Sequence, residues 1–103
     1  MVTQQNAQHL MSLYLSRNSI ILQLSFKNKV FKISTGITTN HFDTITKRVA
    51  KIEDFYWEKN QLLDKIESEG IKLQAKAKVE GWIPDKEQIR SLIDSIKTQA
   101  EPE

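Results

Sequence analysis

A chain of 103 residues and 12.0 kDa, 39% hydrophobic and 27% charged, has room for one small domain and is too apolar for wholesale disorder. It holds no cysteine, so disulfides, thiol nucleophiles and cysteine-ligated zinc are excluded, and His9 and His41 stand at no metal-binding spacing. The formal charge is +2, but residues 1–51 carry seven basic side chains against one acid, Asp43, a net of +6, and 52–103 carry eight against twelve, a net of −4.

Residues 1–9 are polar and unpatterned and read as a flexible N-terminal segment. From Leu10 to Ile37 the chain uses Ile, Leu, Val, Phe, Tyr and Ser, the vocabulary of strands. Two-residue turns at Arg17-Asn18 and Asn28-Lys29 would divide it into strands over about 11–16, 19–27 and 30–35. Leu15 then pairs with Ile20, Leu13 with Leu22 and Met11 with Leu24; beyond the second turn Phe26 pairs with Phe31, Leu24 with Ile33 and Leu22 with Thr35. All of these share one face, while Ser12, Tyr14, Ser16, Gln23, Ser25, Lys27, Lys32 and Ser34 collect on the other. Ile21 and Val30 are the apolar exceptions there.

Residues 38–51 form a connection with a basic cluster, and from Glu53 the composition turns helical. A helix over about 54–80 would cover the sheet with Tyr56, Leu63, Ile66, Leu73 and Ala77, widened by Phe55, Leu62 and Val79. Gly70 falls on that stripe, as a close approach or a break. Gly81-Trp82-Ile83-Pro84 stops the helix. Asp85 with Gln88 then caps a second one near 86–98, carrying Ile89, Leu92, Ile93 and Ile96. Ala100-Glu101-Pro102-Glu103 reads as a frayed end. The expected fold is α+β: a three-stranded antiparallel meander packed against a long C-terminal helix, with a further short helix.

No triad spacing, Gly-x-Ser-x-Gly or glycine-rich phosphate loop occurs, and the carboxylates of the second half alternate with lysine as a solvated helix face does. No active site, metal site or cofactor is expected. The longest purely apolar run, Ile20-Ile21-Leu22, is too short to cross a bilayer, and the start lacks the pattern of a secretory signal. Neither a membrane nor a small-molecule substrate is an expected partner.

The polar sheet face offers more. A small sheet can enter the major groove of DNA and present alternate side chains to base edges and phosphates. Gln23 suits adenine, Lys32 or Arg17 suits guanine, and the serines suit either bases or phosphate. Lys27 and Lys29 at the turn, with Lys47, Arg48 and Lys51 beyond, suit phosphates. A merely solvated sheet face is the competing reading.

Ser12-Leu13-Tyr14-Leu15-Ser16, followed by Ile20 through Ile37 and closing on Lys32-Ile33-Ser34-Thr35-Gly36-Ile37, resembles the N-terminal arm-type DNA-binding domain of tyrosine recombinases, the integrases of phages and mobile elements. Asn40-His41-Phe42-Asp43 and Lys47-Arg48-Val49 stand where that family has a tryptophan-centred turn and a basic stretch, with Phe42 in place of the usual tryptophan. Asn60-Gln61-Leu62-Leu63 is similar to the start of its covering helix. The resemblance spans about 11–80. It implies a bacterial cytoplasmic protein, sequence-specific binding of double-stranded DNA at accessory sites, and a DNA-binding set of Tyr14, Ser16, Arg17, Gln23, Ser25, Lys27, Lys29, Lys32, Ser34, Lys47 and Arg48. It implies no catalysis by this segment, and makes 81–103 a linker and short helix leading toward a core-binding domain. Self-association or contact with recombinase core domains would be the accompanying interactions. The rival reading is a protein-interaction module whose Leu92, Ile93 and Ile96 stripe docks a partner.

Overall fold

The computed structural model describes residues 11–27 and 29–100. The segment 1–9 with Leu10, Asn28, which the sequence places in the second turn, and residues 101–103 lie outside the described residues. Strands β1 (Met11–Ser16), β2 (Ser19–Phe26) and β3 (Lys29–Thr38) form an antiparallel sheet in the order β1-β2-β3. A two-stranded hairpin follows, β4 (Phe42–Asp43) with β5 (Arg48–Val49), then helices α1 (Tyr56–Glu80) and α2 (Lys86–Ala100). The α+β architecture is the one the hydrophobic pattern predicts.

The first hairpin has the expected register throughout, with Met11 opposite Leu24, Leu13 opposite Leu22 and Leu15 opposite Ile20. Arg17 takes the positive φ of its turn, 60°. The second hairpin differs. Its pairs are Phe26 with Lys29, Leu24 with Phe31 and Leu22 with Ile33, two residues away from the expected register. The turn begins one residue earlier than asparagine chemistry suggests, with Lys27 at φ 53°. Lys29 is therefore not a turn residue; it opens β3 on the core side, with its ammonium 5.6 Å from the centre of the Phe31 ring. A slip of two residues preserves the face of every side chain, so the separation of apolar and polar faces survives it.

The strand also continues past Thr35, through a bulge. Ile21 pairs with Ser34 and Ser19 with Thr38, so Ile20 alone faces Thr35, Gly36 and Ile37. Gly36 adopts φ 78°, which an L side chain rarely takes. The buried Thr35 hydroxyl donates to the Ile20 carbonyl at 2.8 Å and accepts the Ile37 N–H at 3.1 Å. It replaces the ladder bonds that the bulge removes.

Leu13, Ile20, Leu22, Leu24, Phe26, Ile33 and Ile37 of the sheet pack on Leu63, Ile66 and Ala77 of α1 and on Ile89, Ile93 and Ile96 of α2. Leu15 and Phe31 are only partly buried at the margin. Gly70 is buried in an unbroken helix, and a Cβ there would lie 3.5 Å from the Leu24 side chain, an ordinary contact. It is neither a break nor an approach that only glycine allows. Phe55 and Val79 do not widen the stripe; they are 72% and 85% exposed. Phe55 precedes the helix at φ 63°, and Val79 lies two residues beyond Ala77, about 200° around the axis.

Helix α1 ends at Gly81, φ 79°, whose N–H bonds the Ala77 carbonyl at 2.8 Å. Asp85 and Gln88 form the expected capping box: each side chain accepts the other's backbone N–H at 2.9 Å. Helix α2 turns Ile89, Ile93 and Ile96 into the core of this chain, with Ile89 fully buried. Of the Leu92, Ile93 and Ile96 stripe expected to dock a partner, Ile93 and Ile96 sit in the core, and Leu92 packs half-buried against it. Helix α2 likewise belongs to the same body as the sheet instead of extending away as a linker. No helix among the described residues is long and apolar enough to cross a membrane.

Candidate nucleic-acid interface

Both helices lie on one side of the sheet, and the other side has no described element over it. The pairing sorts that open face into cross-strand rows. Tyr14, Ile21 and Ser34 form one row, Ser12, Gln23 and Lys32 the next, and Ser25 and Val30 the last. Gln23 and Ser25 are central and half-buried; Lys32 and Ser34 are exposed on the edge strand β3. Ser16, also exposed, ends β1 beside the Arg17 turn. No strand of this sheet contains Asp or Glu, and the first acid in the chain is Asp43.

Arg17 and Lys27 occupy the two hairpin turns, at opposite ends of the sheet. With Lys32, they have no carboxylate partner among the described residues. Three cations thus surround a face of hydroxyls, an amide and a phenol, with no negative side chain on its strands to repel a polyanion. Such a surface suits phosphate and base-edge contacts.

The second basic cluster behaves differently. Asp43 organises the β4–β5 turn: one carboxylate oxygen accepts the N–H groups of Ile45 at 2.8 Å and Thr46 at 3.2 Å, and its carbonyl accepts that of Lys47. Lys47 takes φ 61° there. Arg48 is held by α1: Nε donates to Asp64 at 2.9 Å and Nη2 to Glu67, while Nη1 donates to the Lys47 carbonyl. Desolvation pulls its pKa down, and the bonds to Glu67 and Asp64 more than offset this, leaving it raised. Arg48 is a strut between hairpin and helix. Its guanidinium is already committed, which corrects its expected place among the phosphate contacts.

The hairpin is locked further by Asn60, which accepts the Val49 N–H at 2.8 Å and donates to the Val49 carbonyl at 3.0 Å, as a neighbouring strand would. Phe42, opposite Val49, packs against the core. Sequence patterning does not reveal these elements, because a two-residue strand has no alternation to read.

Beside the hairpin lies a polar knot. The Glu53 carboxylate accepts bonds from the Thr39 hydroxyl, the Asn40 N–H, His41 Nδ1 and the Lys59 ammonium. Lys59 also donates to the Thr38 carbonyl at 2.7 Å. Burial raises the Glu53 pKa, but the bonds from Lys59, Thr39, His41 and Asn40 prevail and lower it to about 2. The knot ties the end of β3 to the start of α1. It has no geometry for acid–base chemistry, because every donor stabilises the same ionised carboxylate. Among the described residues, no three His, Asp or Glu side chains converge as a metal-ligand set.

Comparison with family models, curated proteins and solved structures returns no match.

Proposed function

We propose that the chain binds double-stranded DNA, inserting the open face of its sheet into the major groove as the accessory-site domain of a tyrosine recombinase does. The observation that carries this reading is the acid-free face, covered by no described element, that bears Tyr14, Gln23, Ser25, Lys32 and Ser34 between the cations of Arg17 and Lys27. Dimensions agree with it. Strands lie about 4.8 Å apart, so three span about 10 Å between outer axes, against a major groove about 12 Å wide.

In this role Gln23 and Lys32, neighbours across two strands, face base edges. Arg17 and Lys27 take phosphates at the two ends of the sheet, and Ser16 and Ser34 add lesser contacts. Lys29 and Lys47 contribute long-range attraction, and Arg48 holds the hairpin. The module positions a larger recombination assembly in the bacterial cytoplasm and performs no strand cleavage itself. Strand exchange through a tyrosine requires that nucleophile among clustered cations. Among the described residues, Tyr14 has Ile21 directly opposite it and Ser34 beyond, and no cation in that row.

Titration against duplexes at several salt concentrations tests the proposal. Gln23→Ala or Lys32→Ala weakens binding to a selected duplex by about 1–3 kcal/mol and changes nonspecific binding less. Lys27→Ala weakens all duplexes alike and lowers the salt slope by about one. Lys65→Glu on α1 leaves both unchanged. Loss of binding on the helix substitution, with the sheet-face variants unaffected, refutes the proposal.

A further inference from the structure

The open face is not wholly polar. Ile21 sits on the central strand between Tyr14 and Ser34, and Val30, 56% exposed, lies opposite Ser25 on β3. Ile21 is half-buried among its strand neighbours, and among the described residues neither side chain belongs to the core or packs against it. Strand propensity explains a β-branched residue at each place, but threonine would meet that need and keep the face wettable. Two aliphatic side chains are therefore presented outward, among Gln23, Ser25, Lys32 and Ser34, on strands without an acid. That charge and polarity fit a polyanionic duplex better than an apolar protein surface. In the major groove, base pairs display hydrogen-bonding edges and one apolar group, the 5-methyl of thymine.

We infer that Ile21, seconded by Val30, is a specificity-determining contact to the 5-methyl group of a pyrimidine in the major groove. This rests on the sheet-in-groove reading and deepens it. Ile21 precedes Gln23 by two residues on the same strand and face, so an apolar reader stands beside an amide able to bind adenine bidentately. Together they favour sites in which A·T pairs are read from both edges, the methyl of one strand and the amino group of the other. Thymine is the ordinary source of the methyl group; 5-methylcytosine carries the same group on a different pair.

The test starts from a duplex selected by the full chain from a randomised pool, resynthesised with uracil replacing thymine one position at a time. Thymine is fixed at one position at least, and uracil there weakens binding about fourfold, the worth of burying roughly one methyl group. At that position a 5-methylcytosine·guanine pair binds better than a cytosine·guanine pair by a similar factor. Ile21→Thr, with its fold checked by circular dichroism, abolishes both differences; Val30→Thr reduces them. Equal binding of uracil and thymine duplexes at every position overturns the inference while leaving DNA binding intact. So does a thymine preference that survives in Ile21→Thr and Val30→Thr alike. Failure to select any duplex removes the DNA-binding reading, and this assignment with it.

Discussion

Replacing Glu53 by glutamine keeps the shape of the side chain and removes its charge. In the native chain the carboxylate is 11% exposed and accepts from four donors, one of them the Lys59 ammonium. Hydrogen bonds to charged groups contribute about 1.5–3 kcal/mol each, and an amide oxygen retains part of that network, so E53Q costs about 2–3 kcal/mol at neutral pH. For a domain of this size that lowers Tm by roughly 10–20 °C. The sign of the pH dependence follows from the lowered pKa. As pH falls from 4.5 toward about 2, the unfolded chain takes up a proton on Glu53 that the native chain refuses. The stabilisation is therefore complete above the ordinary carboxylate pKa and disappears toward pH 2. Urea unfolding of both proteins from pH 7 to pH 2 reads this directly: the gap is full at pH 7 and closes on acidification. A gap below about half a kcal/mol at pH 7, or one that stays constant to pH 2, refutes the account of the knot.

Three further predictions concern the core. Leu24→Ala, at a residue 1% exposed beneath α1, costs about 2–4 kcal/mol in denaturant unfolding, because the cavity is enclosed by helix and sheet. Gly70→Ala raises stability by about 0.5–1 kcal/mol, since the helix gains propensity and the new Cβ meets only an ordinary contact; a loss would show that the helix lies closer to the sheet than described. Truncation after Gly81 uncovers the surfaces that Ile89, Ile93 and Ile96 cover, so cooperative thermal unfolding is lost; a truncated chain that melts with the full-length Tm contradicts the placement of α2.

The first hairpin takes the register set by a turn at Arg17-Asn18, where Arg17 adopts φ 60°, and the alternation from Met11 to Leu24 then puts Met11, Leu13, Leu15, Ile20, Leu22 and Leu24 on one face. Asparagine chemistry places the second turn at Asn28-Lys29, one residue too far along, and a period-two pattern does not separate the two registers, since a slip of two leaves every face unchanged. The bulge carried its own signal in Gly36, a glycine inside a strand run, and beyond it Ser19 meets Thr38 in the originally expected offset.

Amphipathicity revealed that α2 buries a stripe but not against what; only the tertiary structure shows Ile89, Ile93 and Ile96 in the common core. The polar sheet face was legible from strand parity alone. Arg48 was not: its positive charge looked available because Asp64 and Glu67, sixteen and nineteen residues later, come into reach only when α1 crosses the hairpin. The Glu53 knot is equally remote, its partners Thr39 and His41 lying fourteen and twelve residues earlier on a loop.

The central claim is that the open sheet face holds DNA, and a map of amide chemical shifts during titration of the full chain with duplex DNA tests it most directly. The account predicts the largest changes along Ser12–Ser16, Ile21–Ser25 and Val30–Ser34 and in the turns at Arg17 and Lys27, with α1 and α2 nearly unmoved beyond their contacts to the sheet. Changes concentrated on the outer surfaces of α1 or α2, with the sheet silent, would contradict it.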